Sequence, residues 1–345
     1  MSFGAGQRGL LWRDGDEAID LSGLGDVFAR PTLNPLLASG RAAWEEAIAS
    51  ARHHDGPRLQ LGEARLPFEV ADYVDFYSSL EHASNLGRMF RPDQEPLLPN
   101  WRWLPVAYHG RAGSVVVSGT DVVRPQGQRK APDDDAPTFG PSRRLDFELE
   151  LGFVVGVGTE LGEAVPVEDF AEHVFGVVLV NDWSARDIQA WEYVPLGPNL
   201  GKSFQTSISA WVTPLALLEE ARVEAPPQSP PPLAHLAGGR DWALDVALEV
   251  ELNGETISRG NARTLYWTLP QQLAHATSNG APLRTGDLMA SGTISGAEPG
   301  TEGSMIELFH GERFLADGDE LILRGRAGNG VELGEVRGRV LPARV

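Results

Sequence analysis

The sequence predicts a mainly β, α+β fold in two parts. Apolar and polar residues alternate over 145–153 and again over 244–252, which is the period of a strand. The chain's 39 glycines and 25 prolines, most of them in residues 71–345, punctuate it as turn-rich β structure requires. Helical spacing is confined to a few short stretches, and 345 residues correspond to about two domains.

Residues 1–70 read as a small N-terminal unit. A strand-like Gly9-Leu10-Leu11-Trp12 leads through an Asp14-Gly15 turn to Ala18-Ile19-Asp20-Leu21. A helix is expected over about 36–52, with Trp44, Ala47, Ile48 and Ala51 on one stripe. Pro57 and Pro67 mark the loop into the second unit, 71–345. Further strands are expected there at 114–118, 153–157, 176–181, 304–310, 319–325 and 335–341. The strand ending at Leu252 runs into Asn253-Gly254, a strong hairpin signal. Helices are expected at 78–88, 167–174, 184–193 and 269–278, the last stopped by Asn279-Gly280.

Composition narrows the function. With 29 basic against 48 acidic residues the net charge is −19, which argues against nucleic acid or an anionic membrane as the main partner. The absence of cysteine removes disulfides, thiolate nucleophiles and Cys-ligated metals. No apolar run approaches the ~18 residues of a membrane span, and a soluble, cytoplasmic protein is expected. Gly197-Pro198-Asn199-Leu200-Gly201-Lys202-Ser203 has the wrong spacing for a phosphate loop. Gly156-Val157-Gly158 lacks the third glycine of a dinucleotide fingerprint, and no G-x-S-x-G is present.

Several polar groups carry chemistry. Glu148 and Glu150 share one face of a strand, about 7 Å apart. They are either a solvated face or two ligands that repel unless a cation lies between them. Asp182 ends the apolar run at 177–180, and Asp75 precedes a helix. An oxygen-only set of this kind suits Mg²⁺ or Ca²⁺. Arg186, Gln189 and Tyr193 fall on one helix face, suited to a carboxylate and a carbonyl or simply to water. Lys202 is one of only two lysines and sits in a Pro/Gly loop, as an exposed cation or a delivered one. His82 is either structural or a base, and a base needs an orienting carboxylate. Glu307, an acid in an apolar segment, is a candidate.

The chain also resembles the fumarylacetoacetate hydrolase family. The resemblance rests on Asp75-Phe76-Tyr77-Ser78-Ser79, His82-Ala83, Tyr108-His109-Gly110-Arg111, Leu145-Asp146-Phe147-Glu148-Leu149-Glu150, Asn181-Asp182-Trp183-Ser184-Ala185-Arg186, Gly201-Lys202-Ser203-Phe204 and Ser291-Gly292-Thr293. It implies an SH3-like N-terminal barrel, a β-roll catalytic core and a homodimer. It implies hydrolysis of a carbon–carbon bond in a dicarboxylic 1,3-diketo acid, at the end of tyrosine and phenylalanine breakdown. Asp75, Glu148, Glu150 and Asp182 match metal positions, with Lys202 and Thr206 near a metal. His82 matches the base and Glu307 its partner, and Arg186, Gln189 and Lys202 match groups that stabilise negative charge. Tyr77, Arg91, Tyr108, Gln189, Tyr193 and Thr293 match substrate positions. Gln205 stands where the family has glycine. An acylpyruvate hydrolase of the same fold is the alternative, and a non-catalytic Ca²⁺ module the remote one.

Overall fold

Strands dominate the computed structural model, which describes residues 1–131 and 133–344. The elements used below are, in chain order, β1 (Ser2–Ala5), β2 (Leu10–Asp14), β3 (Glu17–Asp20), α1 (Arg41–His53), β4 (Arg58–Gln60), β5 (Tyr73–Phe76), α2 (Leu80–Phe90), β6 (Ala107–His109) and β7 (Val115–Val117). They continue as β8 (Leu149–Val155), β9 (Val174–Asp182), α3 (Arg186–Glu192), β10 (Thr206–Ile208), β11 (Trp211–Pro214), β12 (Val246–Leu252) and β13 (Glu255–Asn261). The last are α4 (Leu269–Thr277), β14 (Leu288–Ala290), α5 (Met305–Leu308), β15 (Glu320–Ala327) and β16 (Glu332–Leu341).

A 12-stranded sheet runs β4-β3-β2-β1-β11-β9-β8-β14-β5-β6, with β10 and β7 branching from β9. A five-stranded sheet runs β13-β12-β15-β16 and ends on the short strand Val122–Val123. Asn253 and Gly254 both take positive φ, so the turn between β12 and β13 is the tight hairpin their pairing predicts.

The two central strands explain where the site sits. Leu149, Leu151 and Phe153 of β8 and Val177 and Leu179 of β9 join a core with Leu248, Val250 and Leu323 of the second sheet. Val154, Val178 and Val180 face the other way, into a core with Phe3, Trp12 and Trp44. Both faces are therefore covered, and any polar group on these strands is buried with them. The polar side of 145–153 is accordingly not solvated: Asp146, Glu148 and Glu150 are 0–4% exposed. The same spacing in β12 behaves differently, since Glu249 and Glu251 stay partly exposed and pair with Arg259 and Arg324.

Other expectations change locally. The strand over 145–153 is interrupted, with Leu145–Asp146 paired to Ser184–Ala185 before β8 begins. The expected helix over 36–52 divides at Gly40, which has φ of 85°. The expected strand at 304–310 is the helical turn α5, because Asp146 accepts the amides of Met305 and Ile306 and caps its start. The strands of residues 1–70 join the large sheet through β1–β11, while a bridge between Ala5 and Arg65 brings the segment back on β1.

Candidate active site and metal centre

A cavity of about 430 Å³ opens where β5, β6, α2 and α3 converge. Asp75, Tyr77, His82, Arg91, Tyr108, Glu148, Arg186, Gln189, Tyr193, Lys202 and Thr293 line it, with Leu86, Phe90 and Pro198 as apolar wall. Glu150, Asp182, Thr206 and Glu307 bond to these residues or their neighbours.

One side of the cavity is a proton-handling pair. Ser79 caps α2 by accepting the amide of His82, which fixes the first turn and aims the imidazole inward. His82 Nδ1 lies 2.6 Å from Glu307 Oε2, and both side chains are buried. Glu307 also accepts from Ser295 Oγ (3.0 Å), Ser304 Oγ (2.6 Å) and Asn85 Nδ2 (3.0 Å). Burial alone would raise its carboxyl, but His82, Ser304 and Asn85 outweigh it and hold Glu307 down to about 2. With Nδ1 occupied, Nε2 is the nitrogen left to exchange a proton. The Tyr77 ring stands edge-on to the imidazole, 5.3 Å between centroids, and limits its rotation.

The other side is a buried charge cluster. Asp75, Glu150 and Asp182 each bring a carboxylate oxygen to within 4.8 Å of the others. Glu150 Oε2 accepts the Gly292 amide at 3.2 Å, while its buried Oε1 has no partner. Gly292 has φ of 78°, and a Cβ there would come 2.2 Å from the Phe76 carbonyl, so the amide reaches Glu150 only because residue 292 is glycine. Arg111 donates to Asp75 Oδ2 (2.8 Å) and to both oxygens of Asp182 (2.5 and 3.0 Å). Lys202 bonds Glu148 Oε2 and donates to Asp182 Oδ2 at 2.7 Å. Arg186 pairs with Asp146 (2.8 Å) and Glu148 (2.7 Å).

Five buried carboxylates (Asp75, Asp146, Glu148, Glu150, Asp182) thus face three buried cations (Arg111, Arg186, Lys202). With every carboxylate ionised the formal excess of two negative charges equals the charge of one divalent cation. Burial pushes Asp75 up to about 6 against the pull of Lys202. Burial and the neighbouring Asp75 and Asp182 raise Glu150 well above the carboxylate range. A hard cation at the free Glu150 oxygen would reverse both shifts. The orphaned oxygen, the oxygen-only donors and the charge excess together fit Mg²⁺ or Ca²⁺.

The expected residues do not all stand alike. Asp75, Glu150 and Asp182 converge, whereas both Glu148 oxygens are taken by Arg186 and Lys202. The Lys202 ammonium is stabilised by its carboxylates against burial and has no lone pair to offer. Thr206 Oγ1 donates to Asp182 Oδ1 at 3.0 Å. The Tyr108 hydroxyl donates to Asp75 Oδ2 at 2.6 Å, so it braces a carboxylate as well as lining the cavity. Gln205 lies outside the left-handed region and is accommodated where glycine was expected. Arg111, Asn85, Ser295 and Asp146 join the site although the sequence assigns them no role. One signal was available: Ser304-x-x-Glu307 is a capping-box spacing that announces a helix start.

Residues 72–341 match the family model "Fumarylacetoacetate (FAA) hydrolase C-terminal". The fumarylacetoacetase of Caenorhabditis elegans is 49% identical over 92% of this chain and 85% of its own length. The human fumarylacetoacetase is 48% identical over the same shares. The chain belongs to the fumarylacetoacetate hydrolase family. Solved structures of the family's fold agree with the architecture. A putative HpcE protein of Mycobacterium smegmatis superposes with a TM-score of 0.65 at 21% identity over 100% of both chains. The fumarylacetoacetate hydrolase of Exiguobacterium antarcticum does so at 0.61 and 18% over 99% of both. Like them the chain is built mainly of sheet, and among its described residues no helix is long and apolar enough to cross a membrane.

Proposed function

We propose that this family member hydrolyses fumarylacetoacetate to fumarate and acetoacetate, with a divalent cation held by Asp75, Glu150 and Asp182. The observation that carries the reading is the pairing of two devices in one cavity: the His82–Glu307 dyad and the acidic trio with its unpartnered oxygen. The high identity to fumarylacetoacetases over most of the chain supports the substrate. When bound, the cation supplies Lewis-acid stabilisation of charge on the substrate's oxygens.

The chain's own groups account for the rest. His82 Nε2 takes a proton from water while Glu307 steadies the imidazolium through Nδ1. The hydroxide adds to the fumaryl-side carbonyl, whose oxygen becomes anionic. Arg186 Nη2 is buried without a partner, and the Gln189 side-chain oxygen accepts Arg186 Nη1 at 3.2 Å, which orients its amide and leaves the NH₂ to donate. Arg186 and Gln189 line the cavity, and the Lys202 ammonium has a third N–H beyond its hydrogen bonds to Glu148 and Asp182. These donors hold the oxyanion. The bond to the central carbon then breaks, its electron pair leaves as the acetoacetate enolate, and the proton on His82 returns to that carbon.

Arg91, whose buried Nε is unpartnered, fits a substrate carboxylate, and Thr293 Oγ1, also unpartnered, a carbonyl or carboxylate oxygen. Tyr77 and Tyr193 supply wall and rim. Glu148 completes the metal site if Arg186 or Lys202 yields one of its oxygens. We further propose that residues 1–70 form a small SH3-like unit beside the catalytic 71–345, supported by the run β1–β4 and the Ala5–Arg65 bridge. A cytoplasmic homodimer at the end of tyrosine and phenylalanine breakdown is the physiological setting the family supports.

The test is loss of the diketone absorbance of fumarylacetoacetate, with chelator and after Mg²⁺ or Ca²⁺ is restored. Metal-restored turnover is expected. Full turnover in chelator overturns the metal assignment, and turnover of acylpyruvates alone overturns the substrate.

A further inference from the structure

Asp146 is not a cavity residue, yet its carboxylate is wholly buried and accepts four hydrogen bonds. Oδ2 accepts Arg186 Nε at 2.8 Å and the Ile306 amide at 3.2 Å. Oδ1 accepts the Met305 and Phe147 amides, each at 2.8 Å. One side chain thereby joins the first residue of α3 to the first two amides of α5. Arg186 is the oxyanion-side cation, and Glu307 follows Ile306 directly in α5.

The arrangement does more than anchor a turn. The Arg186 guanidinium is held at Nε by Asp146 and at Nη1 by Glu148 and Gln189. That leaves Nη2 as its one unpartnered nitrogen. The carboxylate therefore selects which nitrogen of Arg186 is free, while the same group sets the position of the turn that carries Glu307. We infer that Asp146 is a positioning residue that fixes the proton-accepting dyad relative to the oxyanion donors, so that one carboxylate sets the geometry of both halves of the reaction. The inference rests on the roles proposed above for Arg186 and Glu307.

Asparagine tests it with little change in size. Its oxygen still accepts the Met305 and Phe147 amides, but its NH₂ meets the N–H groups of Arg186 and Ile306, donor against donor. In Asp146→Asn, kcat is expected to fall about 100-fold, the scale of losing one preorganised donor, with KM changed less than about threefold. In an Arg186→Gln/Glu307→Gln background the same substitution is expected to change kcat less than about threefold, because its targets are gone. A purely structural residue would cost the same in both backgrounds. Wild-type kcat in Asp146→Asn, or an equal loss in both backgrounds, overturns the inference.

If Asp146→Asn does not fold, the coupling between Arg186→Gln and Glu307→Gln decides. A shared anchor predicts a combined loss at least about tenfold smaller than the product of the single losses, and simple multiplication refutes it. The single variants separate the two levels. Normal turnover in Arg186→Gln or Glu307→Gln overturns the underlying roles, whereas impaired singles beside a normal Asp146→Asn overturn only the link.

Discussion

Replacing Glu307 by glutamine removes a charge while nearly preserving shape. Glu307 Oε2 faces His82 Nδ1 at 2.6 Å and two serine hydroxyls, and Oε1 faces the Asn85 amide at 3.0 Å. A glutamine side chain must direct its NH₂ at one of these donor sets, so either His82 loses its acceptor or Asn85 meets a second donor. A dyad that loses its orienting carboxylate costs roughly 10²- to 10⁴-fold in rate, and about 10³ corresponds to ~4 kcal/mol of barrier. Stability should respond separately. The carboxyl is held at about 2 against an ordinary 4.5, which is worth about 3 kcal/mol by linkage. Because the folded value lies below the unfolded one, this stabilisation is full above about pH 4.5 and is lost as pH falls toward 2. Urea unfolding at several pH values between 7 and 3, beside turnover at neutral pH, reads both effects. Glu307→Gln should lower kcat by at least about 100-fold and flatten the acid dependence of stability over that window. Turnover within tenfold of wild type, with an unchanged acid limb, would refute the dyad.

Glu150→Gln removes the unpartnered oxygen, and calorimetric titration with Ca²⁺ or Mg²⁺ should show affinity reduced at least about tenfold with the fold intact. Arg111→Met strips Asp75 and Asp182 of a buried partner and should destabilise the metal-stripped protein by about 3–5 kcal/mol, seen as a lower melting temperature. Added divalent cation should recover more of that loss than it adds to wild type, and an unchanged melt would contradict the charge balance. Arg91→Gln should raise KM for fumarylacetoacetate about tenfold or more and leave KM for an acylpyruvate lacking the second carboxylate nearly unchanged.

Much of this protein is written in local sequence. The alternation at 246–252 and the Asn253-Gly254 turn specify a hairpin, because side-chain period and turn conformation are properties of adjacent residues. The helix placing Arg186 and Gln189 on one face follows from its own spacing, as does the extended run ending at Asp182. The ordered motifs also name nearly every residue that lines the cavity.

The tertiary structure alone decides what those residues can do. Glu148 and Glu150 have the spacing of Glu249 and Glu251, yet the first pair is buried and the second is not. The difference is the second core packed against β8 and β9, which no window of the sequence contains. Residues 305–308 read as a strand from their apolar run despite the Ser304-x-x-Glu307 spacing, and it is Asp146, far away in the chain, that accepts the amides starting their helical turn. Arg111 gives no local sign that it enters the acidic cluster. Each case turns on burial and on charges brought from distant segments. Desolvation and Coulomb energy depend on distance in space, whereas periodicity and turn propensity depend on distance along the chain.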